Sequence, residues 1–302
     1  LLANPDASYE DMVALAADLG VSLTPQAFAE RFTPAAVACL EHVLGATLQQ
    51  VMTAQPALLP LLDRFVAVEV QDSTTIALPE ALGSRFQGCG GSVGRVSAAL
   101  KAQFRWELRS GRLDGPLLQG GRASDRAVEF RARALPGTLR LRDLGYWHLD
   151  DLAQDARDGR FWLSRLKPGT ASYSLDGQRH ELEALLASQA DEHLDLTVRI
   201  GVAQRLECRL VVRRASADEA QARLRRAERT ARRKGRTLSA STRALCGWDV
   251  LVTNVARSLV SSAEVWVLQR VRWQIELLFK LWKQRGKLDE SRGKPRSFSG
   301  LA

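Results

Sequence analysis

The stretch Phe65-Val66-Ala67-Val68-Glu69-Val70-Gln71-Asp72 decides the fold. It is a compact run of β-favouring residues ending on a carboxylate, and it marks where helical periodicity gives way to strands. A loop holding Gly88, Gly90, Gly91 and Gly94 leads into residues 97–108, where apolar and polar side chains partly alternate, so two adjacent strands are expected. A short strand is expected over 113–119 and a helix over 123–134. Thr138-Leu139-Arg140-Leu141-Arg142-Asp143-Leu144-Gly145-Tyr146 then gives a strand closed by a second carboxylate and a glycine. Residues 149–157 read as a helix, and Phe161-Trp162-Leu163-Ser164-Arg165-Leu166 as a further strand. Strands interleaved with helices in this way predict a mixed α/β fold.

Upstream, residues 1–61 read as an N-terminal helical region. From residue 9 to 52 apolar residues recur at helical spacing: Met12, Leu15, Ala16 and Leu19, then Val37, Leu40, Val43, Leu44, Leu48 and Val51. Thr24-Pro25 and Thr33-Pro34 each pair a threonine N-cap with proline at the first helical position. Ala16-Ala17-Asp18-Leu19-Gly20-Val21-Ser22 followed by Gln26-Ala27-Phe28 loosely resembles a DNA-binding helix-turn-helix, a pattern that plain packing of short amphipathic helices also produces. The chain opens on Leu1 rather than methionine, which reads as a fragment or a processed product.

Downstream, residues 168–247 differ in texture and read as a β-rich insertion between two parts of a core, residues 62–167 and 248–302. Its strands, over 170–175, 194–200 and 205–212, are followed by a helix carrying Arg223, Arg225, Arg226, Arg229, Arg232, Arg233 and Lys234. Trp248-Asp249-Val250-Leu251-Val252-Thr253-Asn254 resumes a buried strand, and residues 262–285 read as one long amphipathic helix.

Composition narrows the function classes. With 302 residues, 45% hydrophobic and 25% charged, the chain is neither disordered nor collagenous. Its 43 Lys and Arg against 34 Asp and Glu give a net charge of +9, which points to a polyanionic partner such as nucleic acid. Cys39, Cys89, Cys208 and Cys246 lie far apart with no zinc-ligand spacing, so neither a disulfide framework nor structural zinc is expected, and a reducing cytoplasm fits. No apolar run approaches the ~20 residues of a membrane span, and no signal peptide opens the chain. His42, His148, His180 and His193 show no ligand or nucleophile pairing. The glycines from Gly88 to Gly94 lack the Lys-Ser/Thr ending of a P-loop, so no nucleotide cofactor is expected.

Three acids stand where a mixed α/β fold can assemble them: Asp72 and Asp143 at strand ends and Glu276 on the late helix. At about 100° per residue, Gln269, Arg272, Lys280 and Lys283 fall within about 40° of Glu276. Leu268, Val271, Ile275, Leu278, Phe279 and Trp282 make the opposing apolar stripe. Read by themselves, these residues are also consistent with a solvated face stabilised by i,i+4 pairs such as Arg272 with Glu276.

Asp72-Ser73-Thr74-Thr75 after a β-run, Arg142-Asp143-Leu144-Gly145-Tyr146-Trp147, the strand at Phe161, Leu251-Val252-Thr253-Asn254 and Arg272-Trp273-Gln274-Ile275-Glu276 through Lys283 together resemble the DDE transposases of bacterial insertion sequences, of the IS-four group. The order and spacing are similar over residues 9–292. The resemblance implies a ribonuclease-H-like mixed sheet flanked by helices, with a β-rich insertion between the second Asp and the Glu. It implies catalysis and metal binding by Asp72, Asp143 and Glu276, with two Mg²⁺ ions for which Mn²⁺ substitutes. Phosphodiester hydrolysis at transposon ends and transfer of the freed 3′-hydroxyl to target DNA would follow. The expected partners are double-stranded terminal repeats and target DNA, bound by a homodimer in the bacterial cytoplasm at the nucleoid.

The family signature on the last helix is Tyr, two residues, Arg, three residues, Glu, six residues, Lys. Arg272, Glu276 and Lys283 match it, and Gln269 stands in the tyrosine position. The signature pair Arg272 and Lys283 is expected on the cleaved strand's phosphates, Lys280 in a general electrostatic role, and Arg226, Arg229 and Arg233 along a DNA backbone. Trp248 lies close to where relatives that cut through a DNA hairpin stack a tryptophan on a flipped base, and a buried structural role is the competing reading. Gln269, together with a short polar tail over 293–302 that reads as a frameshift or premature stop, raises a second reading. That reading is an inactive remnant that binds DNA or an intact transposase. A structure-specific nuclease of the same fold shares the acids but not the late-helix signature.

Overall fold

A computed structural model describes residues 7–36, 38–39, 42–43, 60–89, 97–125, 134–187 and 192–286. These fall into two compact units, one drawn from residues 1–58, 72–127 and 274–302 and the other from 59–71 and 128–273.

In the first unit, helix α1 (Tyr9–Asp18) starts on a capping box, Ser8 accepting from the Asp11 N–H while the Asp11 carboxylate accepts from the Ser8 N–H. Helix α2 (Pro25–Ala29) is capped by Thr24 and has proline in its first turn, and Thr33 accepts from the Ala36 N–H in the same way, so both predicted threonine caps form. Strand β1 (Val68–Leu78) enters this unit at Asp72, followed in the sheet by β2 (Ala98–Glu107) and β3 (Leu113–Gly120), in the order β3-β2-β1. Strands β2 and β3 form an antiparallel pair from Leu100 opposite Gly120 to Trp106 opposite Leu113.

β1 corrects one expectation. The strand does not stop at Asp72 but runs six residues further, because Thr74, Thr75 and Ile76 extend its β-branched character. Most of the helix expected over 123–134, the glycines Gly90, Gly91 and Gly94, the helical positions Val37, Leu40, Leu44, Leu48 and Val51, and the tail 293–302 lie outside the described residues.

The second unit is built on a mixed sheet. Its order is β1, β4 (Leu139–Arg142), β5 (Phe161–Arg165), β10 (Trp248–Thr253), β9 (Leu206–Arg214), β8 (His193–Ile200), β6 (Ser172–Tyr173) and β7 (Arg179–His180). β1 with β4 and β4 with β5 are parallel, and every later pairing is antiparallel. The strands of the segment read as an insertion therefore continue the core sheet through β10.

Helices cover this sheet. Side chains alternate along a strand, so Cys208, Leu210 and Val212 of β9 and Val252 of β10 enter one cluster with Trp162 of β5. Leu152 of α3 (Leu149–Arg157) and Leu182 and Leu186 of α4 (Leu182–Ala187) join it, as do Val198 and Ile200 of β8 and Trp147. The alternate residues Leu163, Val211 and Leu251 are buried on the other side. Helix α7 (Ser262–Val271), started by a Ser261–Glu264 capping box, also packs against β5. Helix α3 ends where predicted because Gly159, at φ +68, takes the left-handed conformation after its C-cap and turns the chain into β5. Helix α5 (Ala217–Arg233) is the expected arginine-rich helix, capped by Ser216 and Glu219, and α6 (Ala240–Leu245) leads into β10. No described helix is long and apolar enough to cross a membrane.

Candidate active site and nucleic-acid interface

The pairing of β1 with β4 runs Val68 to Leu139, Glu69 to Arg140 and Val70 to Leu141. Asp72 and Asp143 each lie two positions beyond Val70 and Leu141, the last residues that β1 and β4 pair with each other. Asp72 is half-buried, and its Oδ1 accepts the Ser73 N–H at 2.8 Å. Asp143 is the first residue after β4, and its carbonyl accepts the Tyr146 N–H at 3.0 Å in a tight turn over Leu144–Tyr146. Its carboxylate is 45% exposed, with the buried Arg272 guanidinium at 4.0 Å.

The late helix departs from expectation. Instead of one helix over 262–285 there are two, α7 and α8 (Gln274–Gly286), separated at Arg272 and Trp273. The cause is local: the Trp273 N–H closes on Arg270, three residues back at 3.0 Å, so the four-residue ladder is interrupted. The face predicted to run unbroken from Gln269 to Lys283 is thus divided. Gln269 lies on α7, Arg272 caps it, and Glu276, Lys280 and Lys283 lie on α8. Glu276 is half-buried and Lys280 exposed, while Lys283 donates from Nζ to the Thr75 carbonyl of β1 at 3.2 Å. The apolar stripe is buried at Leu268, Val271, Ile275 and Phe279, and the Trp282 ring lies 5.0 Å from Phe104 of β2.

The basic residues of α5 divide by partner. Arg223 is drawn inward, at 2.9 Å from buried Asp249 and donating to the Trp248 carbonyl at 3.2 Å. Arg225, Arg226, Arg229, Arg232 and Arg233 are all exposed, and at 100° per residue they share an arc of about 120°. Glu228, on the same helix, is held at 3.0 Å by Arg243 of α6. Trp248 is partly buried against the core cluster with the Arg214 guanidinium 4.4 Å over its ring, so one face of the indole is already covered. It lines a cavity of about 280 Å³ together with Leu144, Arg165, Lys167, Arg179 and Arg223.

Sequence reasoning missed two polar clusters. Asp155 of α3, 2% exposed, accepts from Arg140 at 2.9 Å, from Arg160 at 2.8 Å and from Arg142. Burial pushes the Arg142 guanidinium below its ordinary value, with Asp155 opposing that shift. The available signal was an acid three residues from Leu152 on the apolar face of a short helix. The second cluster, Ser73, Lys101 and Asp125, carries no sequence signal, because nothing in the spacing of those residues joins β1 to β2.

Asp72 and Glu276 belong to one unit and Asp143 to the other. Among the described residues no three His, Cys, Asp or Glu side chains are grouped as a metal ion requires. The donor chemistry nevertheless fits a hard divalent cation, since all three are carboxylates and none is fully buried.

A parallel start to a mixed sheet, an aspartate two positions beyond the β1–β4 pairing on each of those strands and a late-helix Arg-Glu-Lys series point to a class. Residues 70–299 match the family model described as the transposase DDE domain, and the chain belongs to that family. The transposase for insertion sequence element IS231F of Bacillus thuringiensis subsp. israelensis is 30% identical over 294 residues, covering 90% of this chain and 61% of that one. The IS231E transposase of Bacillus thuringiensis subsp. finitimus is 28% identical over 286 residues, covering 87% and 59%. The IS1151 transposase of Clostridium perfringens is 25% identical over 248 residues, covering 75% and 52%. The chain spans about six-tenths of the length of the IS231 relatives it matches.

Proposed function

We propose that this chain is the catalytic part of an insertion-sequence transposase, which cleaves the ends of its element and joins them to target DNA. The observation that carries the reading is the shared offset of Asp72 and Asp143 beyond the β1–β4 pairing, in a chain whose late helices keep Arg272, Glu276 and Lys283 in the family's order. Asp72, Asp143 and Glu276 would hold two Mg²⁺ ions, with Mn²⁺ substituting. Bound there, such ions neutralise charge on the attacking and leaving oxygens and lower the pKa of a water nucleophile.

In the first step water attacks a phosphodiester at the transposon end. The P–O3′ bond breaks and the departing oxygen takes a proton to become a 3′-hydroxyl. In the second step that hydroxyl loses its proton, attacks a target phosphodiester and displaces the target's own 3′-oxygen. The chain's cations orient these steps. Arg272, beside Asp143, binds the cleaved strand's phosphate with a planar fork of donors, and Lys283 adds a point charge from α8. Lys280, together with the exposed arginines of α5, among them Arg226, Arg229 and Arg233, holds the flanking duplex through its phosphates. For Trp248, a packing role accords better with its covered face than base stacking does. The active form would be a homodimer pairing two DNA ends in the bacterial cytoplasm.

A second reading, an inactive remnant that still binds DNA, is favoured by one residue: Gln269 of α7 replaces the signature tyrosine. Both are tested by Mg²⁺-dependent cleavage of a duplex bearing the element's own terminal repeats. The wild-type chain, Glu276→Gln and Gln269→Tyr are compared. Cleavage lost in Glu276→Gln supports the active transposase. An inert chain that binds the repeats, and gains cleavage with Gln269→Tyr, supports the remnant and locates its defect on α7.

A further inference from the structure

Behind Asp72 lies a clamp that brings Lys101 and Asp125 onto Ser73. The Ser73 hydroxyl donates to Asp125 Oδ1 at 2.9 Å, and the same carboxylate oxygen accepts from the Lys101 ammonium at 2.8 Å. Lys101, on β2, is 9% exposed, and its ammonium also donates to the Ala123 carbonyl at 2.6 Å. A buried lysine is retained only when its charge is paired and its donors are used, and here both conditions hold. Asp125 is therefore fixed by a charge-assisted contact, and through its oxygen so is the Ser73 side chain.

Ser73 is the residue whose N–H donates to Asp72 Oδ1 at 2.8 Å. Successive side chains of a strand point to opposite faces, so the clamp grips the backbone from the side away from the Asp72 carboxylate. A hydroxyl fixed on one face limits the movement of Ser73, and so of the peptide N–H that the Asp72 carboxylate accepts. Rotation of the Asp72 carboxylate about its last bond is then limited by a donor that cannot follow it.

We propose that Ser73, held by Asp125 and Lys101, is a positioning residue that orients the Asp72 carboxylate toward a divalent cation. The inference rests on the reading of Asp72 as a metal-binding residue. Groups that orient ligands in this way change metal affinity by roughly 10–100-fold when removed.

The test is Mn²⁺ binding to the full chain, read from the loss of the free-ion electron paramagnetic resonance signal, without DNA or turnover. Ser73→Thr and Ser73→Val are nearly isosteric and equally β-branched, so they differ in the hydroxyl and not in strand preference. The expected result is wild-type affinity for Ser73→Thr and about tenfold weaker binding for Ser73→Val. Asp125→Asn, which keeps the shape and removes the charge, is expected to weaken binding by a smaller factor, and its effect should not add to that of Ser73→Val. Equal binding by Ser73→Val and Ser73→Thr, with binding lost in Asp72→Asn, overturns the clamp and leaves Asp72 as a ligand. Unchanged binding in Asp72→Asn overturns both. If Ser73→Val does not fold, which its thermal melt reports, Asp125→Asn decides alone, and wild-type affinity in that variant overturns the proposal.

Discussion

Replacing Arg225, Arg226, Arg229, Arg232 and Arg233 by glutamine tests whether α5 is a phosphate rail or a solvated face. Glutamine keeps helix propensity close to that of arginine, and the internal pairs Arg223–Asp249 and Arg243–Glu228 are left intact. The magnitude follows from the helix itself. From Arg225 to Arg233 the axis rises about 12 Å, which matches about three to four nucleotides of one strand at 3.4 Å each. Five arginines therefore reach about three to four phosphates, and each contact contributes about 0.9 to the dependence of log affinity on log salt. The wild-type slope should be steeper than the variant's by about 3. Between 50 and 200 mM salt its affinity should accordingly fall about 60-fold more than the variant's. Fluorescence anisotropy of a labelled duplex without divalent metal measures both slopes. Parallel slopes for the two proteins would refute the rail and leave the arginines as solvated surface.

Two further outcomes are expected. Asp155→Ala leaves the buried Arg140 and the half-buried Arg142 and Arg160 without their shared acceptor, and should lower stability by about 3–5 kcal/mol in urea titrations; a loss below 1 kcal/mol would show that water replaces the carboxylate. Glu264 is held at a pKa of about 2 by Arg64, with the Ser261 cap assisting. A lowered carboxylate pKa stabilises the fold above the unfolded value near 4.5, and that stabilisation fades as pH falls towards 2. Melting temperatures of wild type and Glu264→Gln should therefore differ at pH 6 and converge near pH 2, and a constant difference across that range would contradict the linkage.

Much of the architecture was legible. The helix over 149–157, the strand at Phe161 and the arginine-rich helix sit where residue patterning puts them, because each is bounded by local residues such as Gly159 and Ser216. What was not legible depends on partners distant in sequence. Nothing around Arg223 announces that Asp249 takes it out of the basic face. No local rule shows that the strands of residues 168–247 prolong the core sheet. The interruption at Trp273 was missed because apolar spacing continues through it, with Val271 and Ile275 both buried, while a single backbone bond shifts. The acids Asp72 and Asp143 were visible as residues, whereas the clamp on Ser73 depends on β2 and on Asp125, far along the chain.

The sheet order has a consequence for how the chain folds. Leu251 of β10 pairs with Arg165 of β5, 251 − 165 = 86 residues apart, while Val250 pairs with Val212 of β9 across 250 − 212 = 38. Closing the longer loop directly costs about 0.7 kcal/mol more than the shorter one. The hairpin of β8 and β9, joined from Ile200 to Leu206, is closer still in sequence and can form without either. The economical order is hairpin first, then β10 onto β9, then the assembled edge onto β5. On that route residues 168–247 act as a template during synthesis, delivering to the first part of the core a strand that would otherwise have to find it alone.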